Sequence, residues 1–451
     1  MPPRNGRVAY QRFRYSYRSS KTYPPLTHPA HTLYNTGIAI YAAAVRVASV
    51  WNSKARKMVQ GWRTVWQNKP LEGRTAWFHA PSLGEYEQAR PVITRFKQEH
   101  PDYRVWLTFF SPSGYEVRKN SAEADRVTYL PMDTLRNSRR LVRIINPSVA
   151  FFVKYDFWFN TLRELRSRQV PTFIFSAIFR PEHYFFKPYG GWYARQLECF
   201  THIFVQNDES LQLLHNRGIE RCTKAGDTRF DRVREIALSS EGDPVVESFL
   251  SHSAGDTKCL MAGSSWEPDE QNLKTYLDHC GTPIKLILAP HVISDNHLTK
   301  IEYLFDKERC IRYSKLSEAL KHSSIPSFKH SANILIIDNI GLLSRLYRYA
   351  DIAYIGGGFG RGIHNILEAV TYGKPVVFGP NHRKFQEAKD IIALGGGFSY
   401  NTKTELTTIL DRLLGDKAAQ DNAAAACRVY MEANIGSTTA IIQTVNKYLS
   451  L

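Results

Sequence analysis

From about Thr75 the chain alternates short runs rich in β-branched and aromatic residues with longer amphipathic stretches. This alternation is typical of a parallel sheet whose strands are joined by helices. Strands are predicted in the first half of the chain at 76–80, 104–110, 126–130, 148–155, 172–175 and 202–206. Helices are predicted between them at 86–99, 135–145, 157–169 and 210–216. The pattern therefore predicts an α/β fold.

A polar stretch at 239–256 interrupts the alternation, which then restarts. Strands are predicted at 259–262, 285–289, 334–337, 352–355 and 375–378, and helices at 269–279, 340–349, 365–372, 385–393, 418–433 and 438–449. Two successive α/β units predict two facing Rossmann-like domains, with ligands beyond the carboxyl ends of the strands. We place these domains at 66–240 and 256–435, followed by a C-terminal helix at 436–451.

The N-terminal region carries most of the positive charge. The formal net charge is +17, and residues 1–70 contain twelve Lys or Arg but no Asp or Glu. Residues 1–32 are predicted to be a basic, aromatic-rich extension suited to an anionic surface, either nucleic acid or membrane. A solvated tail is the alternative.

The next segment favours a membrane. Residues 37–51 are apolar except for Arg46, and Lys54, Arg56 and Lys57 follow. As a helix this run is roughly 22 Å long, shorter than the ~30 Å hydrocarbon core. We predict a membrane-anchor or interfacial helix within 33–65, with a helix packed on the first domain as the alternative. The six cysteines show no metal-binding spacing and indicate a reducing compartment.

The first motif that can carry chemistry is WFHAPSLGEYE at 77–87. A strand is predicted to end at Ala80 and a helix to start near Leu83. Ser82 and Glu85 fit a capping box, which is the structural alternative. A carboxylate at this strand end can also deprotonate a hydroxyl about 3 Å away, and His79 could orient it or bind substrate.

The second motif is YIGGGFGRGIHNILEA at 354–369, a strand followed by a Gly-rich loop and a helix. Glycines allow close approach of the backbone to a ligand, and a helix N-terminus favours phosphate. Arg361 and His364 add positive charge, and Glu368 is placed to accept hydrogen bonds from ribose hydroxyls. The glycines match neither a dinucleotide fingerprint nor a P-loop, which argues against hydride transfer and ATP hydrolysis.

Three further turns follow predicted strands of the second domain. They contain Gly263 and Ser264, Pro290 and His291, and the segment 338–342. Because parallel strands end at one edge of a sheet, the three turns are expected to gather around one ligand.

These motifs resemble those of the 3-deoxy-D-manno-octulosonic acid (Kdo) transferases of lipopolysaccharide synthesis, which have the GT-B fold. The most specific matches are HAPSLGE at 79–85, GGGFGRGIHNILEA at 356–369 and GKPVVFGP at 373–380. The resemblance extends over nearly the whole chain from about residue 33.

The resemblance implies an inverting glycosyltransferase with Glu85 as catalytic base, CMP-Kdo as donor and a lipid A precursor (lipid IVA) as acceptor. It also implies the cytoplasmic face of the inner membrane, and neither a metal, a cofactor nor a nucleic acid partner is expected. Acceptor-side candidates are His79, Ser82, Asp156 and Arg180. Donor-binding candidates are Gly263, Ser264, Pro290, His291, Ile340, Gly341, Leu342, Arg361, Asn365, Ile366, Leu367 and Glu368. Candidates for lipid phosphates are Arg139, Arg140, Arg163, Arg166 and Arg180.

The chain departs from the family pattern at four places. Many members have Arg where this chain has His291, and Met-Gly-Glu where it has residues 340–342. An acidic pair of the family is reduced to Asp156, with Lys154 in place of the other acid, and residues 265–270 replace an HxGEE element. Two alternatives stay open: another GT-B enzyme using a UDP-sugar, as transferase or epimerase, and a non-catalytic basic protein that binds a membrane surface or nucleic acid.

Overall fold

The computed structural model describes residues 28–251, 255–321 and 332–450. The predicted basic extension 1–32 therefore lies outside the described residues except for its last five positions. The chain forms two compact units: unit 1 ends at Thr228 and includes the C-terminal segment from Gly436, and unit 2 is Arg229–Ile435. The division falls before the predicted polar boundary at 239–256, because Phe230 and Val233 pack into the core of unit 2.

Unit 1 contains a seven-stranded parallel sheet. Its strands are β1 Arg74–Ala80, β2 Tyr103–Phe109, β3 Arg126–Tyr129, β4 Val149–Val153, β5 Thr172–Ala177, β6 His202–Val205 and β7 Cys222–Lys224. The order across the sheet is β3-β2-β1-β4-β5-β6-β7. The chain thus reverses its direction of travel between β1 and β4, and such a switch point is where open α/β sheets bind ligands.

Helices cover both faces of this sheet and enclose two apolar cores. They are α1 Pro29–Ala48, α2 Ser53–Thr64, α3 Leu83–Glu99, α4 Pro112–Arg118, α5 Leu135–Ile145, α6 Phe159–Ser167, α7 Gly191–Leu197 and α8 Asp208–His215, with α19 Ser437–Leu449 from the C-terminal segment. The last helix, predicted as a separate element at 436–451, packs its Ile441, Ile442 and Val445 into the core of unit 1.

Unit 2 repeats the same architecture. Its strands are β8 Lys258–Ser265, β9 Ile284–Pro290, β10 Cys310–Arg312, β11 Ile334–Ile336, β12 Ile352–Ile355, β13 Val376–Phe378 and β14 Gly397–Ser399. All neighbours are parallel, in the order β10-β11-β9-β8-β12-β13-β14, with the switch point between β8 and β12.

The helices of unit 2 connect these strands and close its two cores. They are α9 Thr228–Ser239, α10 Pro244–Ser251, α11 Glu267–His279, α12 Asp295–Leu304, α13 Tyr313–Lys321, α14 Leu343–Leu346, α15 Leu367–Val370, α16 Gln386–Ala393, α17 Lys403–Gly415 and α18 Lys417–Asn434.

Each strand predicted from the sequence overlaps one strand of the two sheets, which confirms the predicted α/β fold. The strands that were not predicted, β7, β10 and β14, have three residues each and lie at sheet edges. The helices predicted at 340–349 and 365–372 are shorter in the structure. The first becomes α14 followed by a 3-10 turn, and the second becomes the four residues of α15.

A buried polar network fixes α1 to unit 1. Asp133, which is 1% exposed, accepts hydrogen bonds from the Tyr34 hydroxyl of α1 at 2.6 Å and from the Asn160 backbone N–H at 2.8 Å. Asn160 also bonds His31 and Asn35 of α1, at 2.9 and 2.8 Å. Burial raises the pKa of Asp133 above its usual range, although its hydrogen-bond donors act in the opposite direction. One side of α1 is therefore docked on the protein.

The other side of α1 is apolar and exposed. Leu33 and Ile40 are each 66% exposed, and Val47 is 59% exposed. Within the described part of the chain, no single helix has the length and composition of a membrane span, whereas α1 and Ser53–Gln67 meet those criteria together as a pair bent by 118°. The predicted 37–51 helix ends earlier, at Ala48, and α2 starts at Ser53.

The docking of α19 leads to a prediction about pH. His202 lies near the Tyr448 hydroxyl of α19 (3.3 Å) and Thr223 (3.1 Å), and burial, assisted by Arg221, lowers its pKa to about 4. The unfolded chain, with an ordinary histidine pKa of ~6.5, binds more protons between these values, so stability falls as the pH drops from about 6.5 to 4.

The loss expected from His202 is about 2 kcal/mol after discounting for solvent screening. Urea unfolding at pH 4.5 and 7 measures it. The His202→Gln variant is expected to lose this share of the pH dependence, and an unchanged slope in that variant would contradict the assignment.

Candidate active site

The switch point of unit 1 holds a hydrogen-bonded pair of a buried imidazole and a half-buried carboxylate. His79 in β1, whose side chain is fully buried, hydrogen-bonds through Nε2 to Asp156, which follows β4. The Thr108 hydroxyl lies 2.8 Å from His79 Nδ1, and Trp158 Nε1 donates to Asp156 at 2.7 Å. The imidazole and the carboxylate are thus held from both sides. They join the ends of the two strands between which the order reverses.

Glu85 lies beside this pair, in the first turn of α3. The Ser82 hydroxyl donates to Oε2 of Glu85, and Lys154 Nζ lies 3.5 Å from Oε1. The side chain of Glu85 is 17% exposed and that of Lys154 22%. The carboxylate is thus shielded and charge-compensated while still reaching solvent. These are suitable conditions for a group that accepts a proton from a bound hydroxyl.

Lys154 reaches Glu85 from an unusual backbone position. It follows β4 with φ +66°, in the left-handed region that disfavours side chains with a Cβ. Its N–H donates to the Phe175 carbonyl of the neighbouring strand at 2.9 Å. Backbone strain of this kind concentrates at functional sites. We interpret the conformation as the means by which the end of β4 directs an ammonium group towards the end of β1.

The hydrogen bond between Ser82 and Glu85 is not that of a capping box. Ser82 is the N-cap of α3 by backbone conformation, but its side chain makes no cap hydrogen bond to the helix backbone. Its hydroxyl is directed at the Glu85 carboxylate instead. The two residues therefore form a side-chain pair.

The other acceptor-side candidates are spread more widely. Arg180, beyond the end of β5, is exposed, and Arg140 stacks on the Trp66 ring at 4.5 Å. Arg139, Arg163 and Arg166 line one pocket of about 360 Å³. The pocket that these three arginines line is separate from the aromatic groove around Phe157.

An aromatic groove of about 820 Å³ lies next to the Asp156 turn. One wall of the groove is the start of α1, including Leu33. The other wall consists of aromatic residues between the end of β4 and α7, among them Phe157, Tyr184 and, within α7, Tyr193. Phe157 is the residue immediately after Asp156. The groove therefore extends from the residue that follows Asp156 to the start of α1.

In unit 2 the Gly-rich loop after β12 is fixed by a buried carboxylate. Asp269 is 1% exposed and accepts from the Gly357 N–H at 2.9 Å, the Tyr354 hydroxyl at 2.8 Å and the Trp266 N–H at 2.9 Å. Burial raises its pKa, against the effect of these donors. The start of α11 is thus tied to the loop that the sequence indicated as a phosphate site.

Close backbone packing explains the glycines of this loop. A Cβ on Gly356 would lie 2.2 Å from the Ser264 carbonyl oxygen, and one on Gly358 would lie 2.5 Å from the Gly379 nitrogen. A Cβ on Gly263 would lie 1.9 Å from the Tyr347 hydroxyl. Ser264 itself has φ +54°. The ends of β8, β12 and β13 therefore meet without room for side chains.

The remaining donor-side candidates lie on turns at the same sheet edge. Pro290 ends β9 and is followed by His291, whose ring packs against His364 at 4.5 Å. Asn365 accepts from the Leu367 N–H at 3.2 Å and donates to Glu368 at 3.1 Å, which orders the start of α15.

The other candidates differ in exposure. Arg361 is exposed on the Gly-rich loop, and Ile366 is buried. The segment containing Ile340, Gly341 and Leu342 follows β11, and Ile340 is 92% exposed. Because β11, β9, β8 and β12 are consecutive in the sheet, these turns are neighbours.

Sequence reasoning missed several contacts of the site. It treated Lys154 as a departure from the family pattern and did not pair it with Glu85. It also overlooked Thr108 and Asp269. The available signal for Asp269 was its place three residues after Trp266, since an acid at that position can accept from the N-cap backbone. Among the described residues there is no group of three or more His, Cys, Asp or Glu side chains arranged to hold a metal ion.

Comparisons with known proteins show which sequences and folds this chain resembles. Residues 54–232 match the family described as 3-deoxy-D-manno-octulosonic-acid transferase (kdotransferase). A 3-deoxy-D-manno-octulosonic acid transferase of Rickettsia felis is 25% identical over 410 residues, covering 84% of this chain and 81% of that protein. One of the same name from Aquifex aeolicus is 26% identical over 345 residues, covering 76% and 86%.

Solved structures share the fold. The UDP-GlcNAc 2-epimerase of Neisseria meningitidis bound to UDP-GlcNAc has a TM-score of 0.57 at 14% identity, covering 83% of this chain and 100% of its own. MurG of Acinetobacter baumannii has a TM-score of 0.51 at 12% identity, covering 83% and 99%.

Two Rossmann-like units, each with a polar cluster at its switch point, form the GT-B fold. The family match and the relatives add that the chain is a glycosyltransferase. Within that class, residues 54–232 match the 3-deoxy-D-manno-octulosonic-acid transferase family, and two transferases of that name are similar to most of the chain.

The loop packing predicts unequal effects of two alanine substitutions. Gly356→Ala forces its Cβ against the Ser264 backbone and is expected to lower the unfolding free energy by about 1–3 kcal/mol, as overpacking does. Gly360→Ala is the matched control, because its Cβ would lie 3.7 Å from its nearest neighbour, the Gly357 carbonyl oxygen. This substitution should change stability by less than about 0.5 kcal/mol. Equal unfolding curves for the two variants in urea would contradict this packing.

Proposed function

We propose that this chain transfers Kdo from CMP-Kdo to a lipid A precursor (lipid IVA), with inversion, at the cytoplasmic face of the inner membrane. The observation that carries the proposal is the Glu85 carboxylate, held by Ser82 and Lys154 at the switch point of unit 1. The match of residues 54–232 to the Kdo transferase family supports the reaction, and the ordered turns of unit 2 support a nucleotide-sugar donor.

In the proposed reaction Glu85 accepts the proton of an acceptor hydroxyl. The hydroxyl oxygen forms a bond to the anomeric carbon of Kdo, and the bond from that carbon to the phosphate oxygen breaks, so that CMP leaves with the bonding electrons. Lys154 and Ser82 keep the carboxylate in place and balance its charge. Asp156 is proposed to position the acceptor sugar, because its carboxylate is partly exposed, and the buried His79 holds that carboxylate in place.

The donor is proposed to bind at the carboxyl edge of the unit 2 sheet. Its phosphate would lie at the Gly-rich loop and the N–H groups that precede α15, with Arg361 nearby, and its ribose would contact Glu368. Fixed N–H dipoles and cations can stabilise the negative charge that develops on the leaving CMP. The proposal includes no resident metal or cofactor.

The acceptor is proposed to approach from the membrane along the exposed side of α1. The aromatic groove suits an acyl chain, since it connects Leu33 on that side with Phe157 beside the Asp156 turn. Lys54, Arg56 and Lys57 on α2 are close in sequence and add positive charge for anionic headgroups.

Replacing the base tests the reaction directly. Glu85→Gln keeps the shape of the side chain and removes the proton acceptor, so kcat is expected to fall about 10²–10⁴-fold. Glu87→Gln, two positions along α3, is the matched control because the Glu87 carboxylate pairs with Arg118 at 2.9 Å. CMP binding should be unchanged in both variants. Near-normal turnover by Glu85→Gln would overturn the assignment of the base.

The membrane proposal is tested with vesicles. Ile40→Glu with Val47→Glu places two charges on the exposed side of α1, and binding to vesicles containing anionic lipid should fall about tenfold or more, since burying one aliphatic side chain contributes roughly 1.5–3 kcal/mol. Val429→Glu is the control: Val429, on α18 of unit 2, is 61% exposed. Equal sedimentation of all three proteins with the vesicles would contradict this contact.

A UDP-sugar enzyme is the second candidate, since the structural neighbours include UDP-GlcNAc 2-epimerases. That similarity concerns the fold. Competition of CMP and UDP for the purified protein separates the two candidates. Preference for UDP, or epimerase turnover, would favour the alternative.

A further inference from the structure

Three rings meet where β8, β9 and β12 end. The His291 ring has its centroid 4.5 Å from that of Trp266 and 4.5 Å from that of His364, with interplanar angles of 25° and 27°. Trp266 precedes α11, His291 follows β9 and His364 lies in the Gly-rich loop. They come from distant parts of the sequence, and the strand order β9-β8-β12 brings them together.

A hydrogen bond decides the charge of one imidazole. Trp266 Nε1 and His364 Nε2 are 3.1 Å apart. An indole N–H can only donate, so Nε2 accepts, and the His364 ring proton lies on Nδ1. Burial, assisted by the nearby His291, lowers the pKa of His364. Both effects keep His364 neutral.

His291 is therefore the imidazole of this pair that can carry a positive charge. It is exposed, and as an imidazolium it would lie against two neutral aromatic rings, an arrangement that attracts a cation. The carboxylates on the adjoining α11 have partners: Asp269 binds the Gly-rich loop, and Glu270 bonds Ser265 and His297. Further charged groups are Glu267 at the start of α11, Asp295 at the start of α12 and Arg361 in the Gly-rich loop.

We propose that His291 contacts the acid groups of the donor as an imidazolium, so that donor binding takes up a proton, while Trp266 and His364 orient it and stay neutral. This inference rests on the proposed function and adds to it a chemical requirement at the donor site. CMP-Kdo carries a phosphodiester and a carboxylate, both anionic. A histidine makes this contact depend on pH, whereas an arginine at the same position would be charged throughout.

The test measures CMP affinity by calorimetry from pH 5.5 to 8 in the full chain and in His291→Arg. The phosphate of CMP itself titrates near pH 6, and comparing the two proteins at each pH cancels that contribution. The measured quantity is the ratio of two Kd values for CMP, that of the unsubstituted protein over that of His291→Arg. This ratio is expected to rise about tenfold or more from pH 5.5 to 8, because the imidazole loses its charge and the guanidinium does not. His279→Gln is the matched control, an exposed histidine in the last turn of α11.

A second measurement needs no variant. In protein with ¹⁵N-labelled histidine, the His364 Nε2 signal should be that of an unprotonated nitrogen throughout this range. Saturation with CMP should raise the pH at which His291 titrates. A merely structural role for His291 would not produce that shift.

The results distinguish a failure of the inference about His291 from a failure of the proposed function. If CMP binds but the ratio of Kd values is flat, or if His279→Gln changes the pH profile as His291→Arg does, the inference is overturned and the proposed function is not. If CMP does not bind at any pH, the proposed donor fails and the inference fails with it.

Discussion

The hydrogen bond between His79 and Asp156 is the contact on which the site in unit 1 depends. It joins the ends of β1 and β4, the neighbouring strands between which the chain reverses its direction across the sheet. His79 is fully buried, so a partner is needed to satisfy its ring nitrogens, and Thr108 and Asp156 supply it. The same turn carries Lys154, which reaches Glu85. Fixing the end of β4 therefore also fixes the charge beside the proposed base.

In unit 2 a different set of hydrogen-bonded residues fixes the strand ends. The buried Asp269 ties the start of α11 to the Gly-rich loop, and the glycines let β8, β12 and β13 end in close contact. At the strand ends, unit 1 has a buried imidazole held by the half-buried Asp156 carboxylate, and unit 2 has a buried carboxyl group that holds main-chain N–H groups. Carboxyl groups with this many donors hold a precise geometry, and the cost of burying them is offset by those hydrogen bonds.

The sequence predicted the parts of the structure that follow from periodicity. Strands β1–β6 and helix α5 were predicted because their apolar patterns are long enough to be distinctive. The edge strand β7 was missed because only one of its three residues is buried, so it carries no apolar pattern. The positions of Glu85 and of the Gly-rich loop were also predictable, since a motif at a strand end indicates a location in this fold.

The contacts between side chains were not predictable in the same way. Lys154 meets Glu85 across 69 residues of sequence, and it does so from a left-handed backbone conformation that no local pattern indicates. The cluster of Trp266, His291 and His364 likewise exists only once three strands are adjacent. Local sequence determined the turns, and the strand order determined which turns meet.

The central claim is that this chain forms a glycosidic bond between Kdo and a lipid A precursor. Mass spectrometry of the lipid recovered after incubating the purified protein with lipid IVA and CMP-Kdo measures donor, acceptor and number of sugars together. The proposed function predicts a product heavier than the acceptor by one or more Kdo residues, formed with CMP-Kdo and not with UDP-GlcNAc. Unmodified acceptor under conditions in which CMP binds, or a product formed only from a UDP-sugar, would contradict it.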